Sequence, residues 1–325
     1  MASIGLQTHE EEKLPLSLSK ERGWISPYLY LHQHFWCPST HVQGVNNFQK
    51  HFQAKASDVI VASFPKSGTT WLKALTFSIL NRKRLSSLEN HPLLTSNPHE
   101  LVPFLDFIFR ADNIQDKLSH LSKMTEPRVF GTHIPFSSLS KSIKESNCKI
   151  IYICRNPFDT FVSTWIFTLK HKPESLQEIT IEEALEKYCK GIIGFGPTWD
   201  HMLGYWKESI AAPNKVLFLK YEELKDDVNF YVKRVAEFLD CSFTKEEESN
   251  EVIGNLVKLC SFENMKDLEV NKSGTFDRNF EKKYLFRKAE IGDWVNYFSP
   301  SMIEKLSKTI EEKLGGSGLS FNTCC

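Results

Sequence analysis

The chain has 325 residues, 41% of them hydrophobic and 25% charged, and forty acidic side chains cancel forty basic ones. That length suffices for one large α/β domain with a substantial core, and the balanced charge leaves no global field for nucleic acid or an anionic membrane. Any anion site must be built locally, and no apolar stretch approaches the roughly 18 residues of a transmembrane helix.

Residues 1–20 are charged and nearly free of aromatic side chains, so a disordered tail is expected there. This polar start has the features of neither a secretory signal nor a transit peptide. Eight cysteines without CxxC or finger spacing suit reduced thiols, so a cytoplasmic protein is expected. From Gly23 to Asn47 the chain is aromatic-rich and should pack on the domain. His32, His34 and Cys37 lie there without a second ligand pair, and no metal site is expected.

Four stretches then read as buried strands: DVIVASF (58–64), RVFGTHI (128–134), KIIYICR (149–155) and KVLFLKY (215–221). Each is short, rich in β-branched or aromatic residues, and bounded by turn-formers. Helical patterns lie between and after them. WLKALTFSILN follows the first strand, TIEEALEKYCKG opens on a capping Thr180, and VNFYVKRVAEFL repeats apolar residues on one face. Strands alternating with helices imply one domain with a central parallel sheet flanked by helices, placed at 21–320 with a short tail at 321–325.

Ligands of such sheets bind beyond the carboxyl ends of the strands. The first strand ends in SFPKSGTTW, a strand–loop–helix whose backbone N–H groups would cradle an anion. Its order is not the GxxxxGK[ST] of nucleotide triphosphate loops, because Lys66 precedes Gly68. The other strands deliver Thr132-His133, Arg155-Asn156-Pro157 and Tyr221 to the same edge. Pro157 begins a helix that carries Asp159, Ser163 and Phe167 on one face. Near the end, FRKAEIGDW puts Arg287 and Lys288 before a turn, giving with Arg155 a second phosphate site apart from Lys66. A nucleoside with phosphate at both ends is implied.

FPKSGTTWLKAL, CRNPFDTFVS, LKYEEL and FRKAEIGDW, in this order and spacing, resemble the cytosolic sulfotransferases, and most closely the soluble plant enzymes acting on flavonoids and hormones. The likeness runs from about Gly23 to Leu319. It implies the P-loop-like sulfotransferase fold, 3′-phosphoadenosine 5′-phosphosulfate (PAPS) as donor, and in-line transfer of its sulfuryl group without a metal. Carried over, Lys66, Ser67, Gly68, Thr69, Thr70 and Trp71 would form the 5′-phosphosulfate loop, with Lys66 stabilising the leaving oxygen and Trp71 stacking on adenine. Arg155, Ser163, Arg287, Lys288 and the backbone of Ala289 would bind the 3′-phosphate, with Tyr221 near the adenine. His133 would be the general base.

By the same likeness Val42, Phe104, Phe107 and Phe167 would line an apolar acceptor slot for a flavonoid, phenolic, steroid-like or hydroxylated hormone substrate. Ala289 replaces a usual glycine and Val295 a common lysine. Gly131 stands where animal enzymes often carry a lysine, so His133 is expected to act without that neighbour. The dimer segment of animal members is not recognisable, so a monomer or weak homodimer is expected.

Two other readings compete: a nucleotide kinase or NTPase with an altered loop, and a non-catalytic nucleotide-binding protein. The first requires a magnesium-dependent loop order that is lacking; the second requires loss of Lys66 or His133, and both are present. The NKS at Asn271 is expected to be unmodified, and Cys324-Cys325 is not a CaaX lipidation box.

Overall fold

The computed structural model describes residues 18–85, 88–110, 113–277 and 280–321. Most of the two expected tails, including Cys324-Cys325, lies outside the described residues.

The aromatic segment opens as an antiparallel meander, β1 (Lys20–Arg22), β2 (Tyr28–His32) and β3 (Phe35–Pro38), followed by helix α1 (Ser39–His51). β1 thus starts at the last residue of the expected tail. In β3 Phe35 and Cys37 are buried while Trp36 and Pro38 are only partly so, and in β2 the adjacent Leu29 and Tyr30 are both buried.

The four expected strands form one parallel sheet in the order β5–β4–β6–β7: β4 (Val59–Ser63), β5 (Val129–Thr132), β6 (Lys149–Cys154) and β7 (Val216–Lys220). Their near-continuous apolar runs are required because both faces are buried. Ile60, Phe130, Ile150, Tyr152, Val216 and Phe218 join one core layer. Val59, Val61, Val129, Ile151, Ile153 and Leu217 join the other.

Helix α2 (Thr69–Asn81) leaves β4 and covers the second face with Leu72, Leu75 and Ile79. Helices α3 (Pro157–His171), α4 (Ile181–Cys189) and α5 (Thr198–Ala211) cover the first face. The short α6 (Tyr221–Asp226) follows β7, α7 (Val228–Phe238) packs through Val232, Val235 and Ala236, and α8 (Pro300–Leu314) closes the first layer with Met302 and Leu306. The predicted start of α4 is a capping box: Thr180 Oγ1 accepts the Glu183 N–H at 3.2 Å and Glu183 returns to the Thr180 N–H.

The chain turns from β4 to β5 on one side and to β6 on the other. β4 is therefore the switch point, and the crevice beyond its carboxyl end is where this topology places a ligand. Asn271 sits far from any sugar acceptor role: it is 1% exposed, donates to the Met265 carbonyl at 2.8 Å and accepts from Asn97 at 2.8 Å. No helix among the described residues is long and apolar enough to cross a membrane.

Candidate active site

The loop after β4 carries Lys66 at φ 67° and Gly68 at φ 102°. Gly68 is needed twice over, because a Cβ there would also meet the Tyr221 ring at 2.7 Å. Gly68 caps α2 without any side-chain hydrogen bond, so no side chain competes for the first-turn N–H groups of this 13-residue helix. Those groups open on a cavity of about 560 Å³ beyond the sheet.

That cavity is lined by Lys66, Gly68, Thr69, Thr70 and Trp71 from the loop, and by His133, Arg155 and Tyr221 from the ends of β5, β6 and β7. Ser163 and Phe167 enter it from α3, and Arg287, Lys288 and Ala289 from the late loop. Five distant segments of sequence therefore converge. Ser67 does not line it; its side chain is 2% exposed beneath the loop. Val42 does not line it either. At 3% exposure it belongs to the first core layer, on the α1 face that also buries Val45 and Phe48, and the cavity wall there is Thr40 and His41.

Asp159 fixes the late loop against α3. Its buried carboxylate accepts the N–H groups of Gly292 at 2.8 Å and Trp294 at 3.2 Å. Arg155 lies 4.6 Å over the Tyr221 ring and donates to the Glu290 carbonyl, while its buried Nε has no hydrogen-bond partner among the described residues. A buried guanidinium N–H left unmatched is the kind of donor a phosphate satisfies. Arg287 and Lys288 are both paired with the buried Asp293, the lysine at 2.6 Å. One carboxylate thus holds both cations inside their own turn and leaves the spot net positive. Ala289 adopts φ 56°, and its carbonyl accepts from Tyr221 Oη at 3.2 Å and from Lys225. Trp71 and Tyr221 meet edge to face at 5.7 Å, an aromatic corner suited to a base.

His133 follows β5. Its Nδ1 lies 2.7 Å from the Ser63 carbonyl, which can only accept, so Nδ1 carries the proton and Nε2 keeps its lone pair. Burial first, then the charges of Lys73 and Lys66, hold its pKa at about 3, so the ring is neutral at physiological pH. Phe104 packs on it at 4.7 Å and Phe195 at 5.5 Å. Phe104 owes its place to the backbone: the Gly131 N–H donates to the Pro103 carbonyl at 2.8 Å, adding residue 104 as a bridge to β5. Phe107 meets Phe104 at 4.9 Å with the rings tilted, and Phe167 meets Phe280 at 5.5 Å, so the slot's walls are aromatic.

Lys66 is partly buried, 4.1 Å over the Phe167 ring, and its Nζ is 3.5 Å from the Tyr284 carbonyl. Desolvation, with Arg287 and Arg155 adding repulsion, pulls its pKa down to about 7. Expectation and structure differ over the neighbour of His133. A lysine does reach the place opposite Gly131, from α2: a Cβ on Gly131 would collide with Cε and Nζ of Lys73.

Several wall residues were not singled out from the sequence. Lys225 is one turn beyond Tyr221 on α6, a spacing that puts both on one face. His99 follows Asn97, which caps its short helix, and that pattern signals only a helix start. Arg110 pairs with Asp277 and lies 4.3 Å over Phe107, a contact no local pattern announces.

A family model described as the sulfotransferase domain matches residues 56–318. The chain is 53% identical over 320 residues to cytosolic sulfotransferase 15 of Arabidopsis thaliana, covering 98% of this chain and 88% of that one. Its fold matches a crystal structure titled as an Arabidopsis thaliana putative steroid sulphotransferase, with TM-score 0.74, 44% identity, and coverage of 94% and 93% of the two chains. It also matches a mouse sulfotransferase complexed with PAP (3′-phosphoadenosine 5′-phosphate), with TM-score 0.68, 26% identity, and coverage of 89% and 96%. An open helix N-terminus at the switch point, a partly buried neutral histidine beside it and these likenesses agree, and the chain belongs to the sulfotransferase family, alongside the cytosolic sulfotransferases of plants.

Proposed function

We propose that this sulfotransferase takes PAPS as donor and transfers its sulfuryl group to a hydroxyl of a small, largely apolar acceptor in the cytoplasm. One observation carries the reading: a single cavity joins an uncapped helix N-terminus, a separate arginine–lysine cluster and a histidine with a free Nε2. The PAP in the mouse structure, the cytosolic names of the relatives and the description of the plant neighbour as a steroid sulphotransferase support it.

The residues present fit such a donor. The N–H groups of Thr69, Thr70 and Trp71, with Lys66, would hold the 5′ end, and Trp71 and Tyr221 the base. The orphaned Nε of Arg155, with Ser163, Arg287, Lys288 and the backbone of Ala289, would hold the 3′-phosphate. When bound, the donor supplies the sulfuryl group. Lys66 places positive charge beside the oxygen that must carry negative charge as the bond to sulfur breaks. His133 accepts the acceptor's proton at Nε2, and the Ser63 carbonyl steadies the resulting imidazolium through Nδ1–H. Phe104, Phe107 and Phe167 exclude water and hold a flat acceptor. Positioning and charge then supply most of the barrier reduction, with no covalent intermediate on the protein.

The test is a panel of phenols, flavonoids and hydroxysteroids with radiolabelled PAPS, together with calorimetry of PAP and AMP. Label transfer and much tighter PAP binding are expected. Equal affinity for AMP would remove the 3′-phosphate site, and label in no acceptor would remove the acceptor class.

A further inference from the structure

Lys73 and His99 have no part in that mechanism, yet they form a buried connection that ends in the donor loop. Lys73 is fully buried on α2, three residues beyond Thr70 and on its face. Its Nζ is 3.1 Å from Nδ1 of His99 and 3.0 Å from the centre of the Phe104 ring. Nε2 of His99 is in turn 3.0 Å from Oγ1 of Thr70. The imidazole is held flat between Phe104 and Phe276, each at 5.0 Å. His99 and Thr70 line the cavity, and Lys73 stands behind them.

A lysine in such a place is costly unless it meets partners. Room for it comes from Gly131, where any side chain would collide with it. The groups facing it are His99, His133 and Asp106. Asp106 is itself buried and accepts the His133 N–H at 3.2 Å through Oδ1.

The direction of the protons follows. Burial lowers the pKa of Lys73 well below its ordinary value and the Asp106 carboxyl opposes that shift; in its ammonium form Nζ only donates, so Nδ1 of His99 must then accept. Nε2 then carries the ring proton and donates to Thr70 Oγ1, and the hydroxyl proton of Thr70 is left to point into the cavity. A chain without Lys73 lets the ring take the other tautomer, in which Thr70 donates to His99 and turns its lone pairs toward any anion.

We propose that Lys73, acting through His99, is a positioning residue that sets the Thr70 hydroxyl as a hydrogen-bond donor to the 5′ anionic group of the nucleotide. This rests on the reading of the loop as the nucleotide's 5′ site. The helix that carries the loop thereby also sets the polarity of the loop's hydroxyl.

A double-mutant cycle on PAP affinity, read by calorimetry, tests it. Thr70→Val should weaken PAP about tenfold, the loss of one hydrogen bond to a charged group. Lys73→Met should weaken it similarly in the wild-type chain and add nothing in the Thr70→Val background. Thr70→Ser should restore both the affinity and its sensitivity to Lys73→Met. Equal weakening by Lys73→Met in both backgrounds would make Lys73 a packing residue only and overturn the proposal, as would no weakening at all. If Thr70→Val itself left PAP binding unchanged, the reading of the loop would fall first. Should Lys73→Met prevent folding, His99→Phe, which keeps the ring stack, takes its place in the same cycle with the same expected outcomes.

Discussion

His133 and Ser63 are joined by a 2.7 Å hydrogen bond from Nδ1–H to a backbone carbonyl, and that bond decides which nitrogen can act as base. His133→Ala should lower kcat by roughly 10²–10⁴-fold while PAP affinity stays near that of the wild type. The deficit should shrink for acidic phenols, which ionise with little help. The folded pKa of about 3 lies below the ordinary 6.5, so the ring stays neutral through the physiological range. A pH profile of kcat/KM should therefore show no acid limb near 6.5 from this group. A limb at that value, lost in His133→Ala, would contradict the neutral imidazole.

Ala289 stands at φ 56°, in the left-handed region, where the resemblance leads one to expect glycine. Its methyl costs about 1–2 kcal/mol there, and glycine returns about 0.5–1 kcal/mol of that as unfolded-state entropy. Ala289→Gly should therefore raise stability by roughly 0.5–1 kcal/mol in urea unfolding, with the hydrogen bonds from Tyr221 and Lys225 to its carbonyl intact. Lower stability would mean that the alanine methyl makes a compensating contact.

The sheet was legible because Val59, Ile60 and Val61, like Ile150 to Ile153, are apolar on both faces and need no long-range information to read as buried strands. The loop and the four strand ends were legible for the same local reason. Other features depend on contacts across the fold. The meander of residues 20–38 mixes buried aromatics with exposed polar residues over strands of three to five residues, too short for alternation to speak. Val42 reads equally well as a slot residue or a core residue, and only the rotation of α1 settles it. Lys73 is the plainest case. A lysine in an amphipathic helix reads as solvated, and its burial is made possible by the missing side chain of Gly131, 58 positions away in sequence.

Gly68 joins two requirements in one residue, a φ of 102° and a ring of Tyr221 packed where a side chain would stand. Gly68→Ala should cost at least about 1–2 kcal/mol from the backbone alone, before Tyr221 is displaced. Because Arg155 also lies 4.6 Å over the Tyr221 ring, both ends of the proposed nucleotide site should suffer. A lower melting temperature and at least about tenfold weaker PAP binding are expected, tenfold being 1.4 kcal/mol. Unchanged PAP affinity would show that Tyr221 has no part in the site.

Lys66 and the two arginines should make the proposed nucleotide site sensitive to alkaline pH. Desolvation, then repulsion from Arg287 and Arg155, holds Lys66 at about 7 against an ordinary 10.5. In the free protein its amine is therefore largely neutral above pH 7, while the unfolded chain stays protonated up to about its ordinary value. Unfolding then takes up a proton between these two values, so Lys66 makes the free protein more stable as pH rises through that window. Nucleotide binding has the opposite sign. A phosphate beside Lys66 favours the ammonium, so PAP should bind with proton uptake, and its affinity should fall by up to about tenfold per pH unit above the free value. Calorimetry at about pH 8 in buffers of different ionisation heat would read that proton directly as a buffer-dependent enthalpy. Lys66→Met should weaken PAP binding and abolish the part of the buffer dependence that comes from this residue. An observed heat identical in every buffer for the wild-type protein would mean that Lys66 is already charged in the empty site, and the desolvation assigned to it would have to be withdrawn.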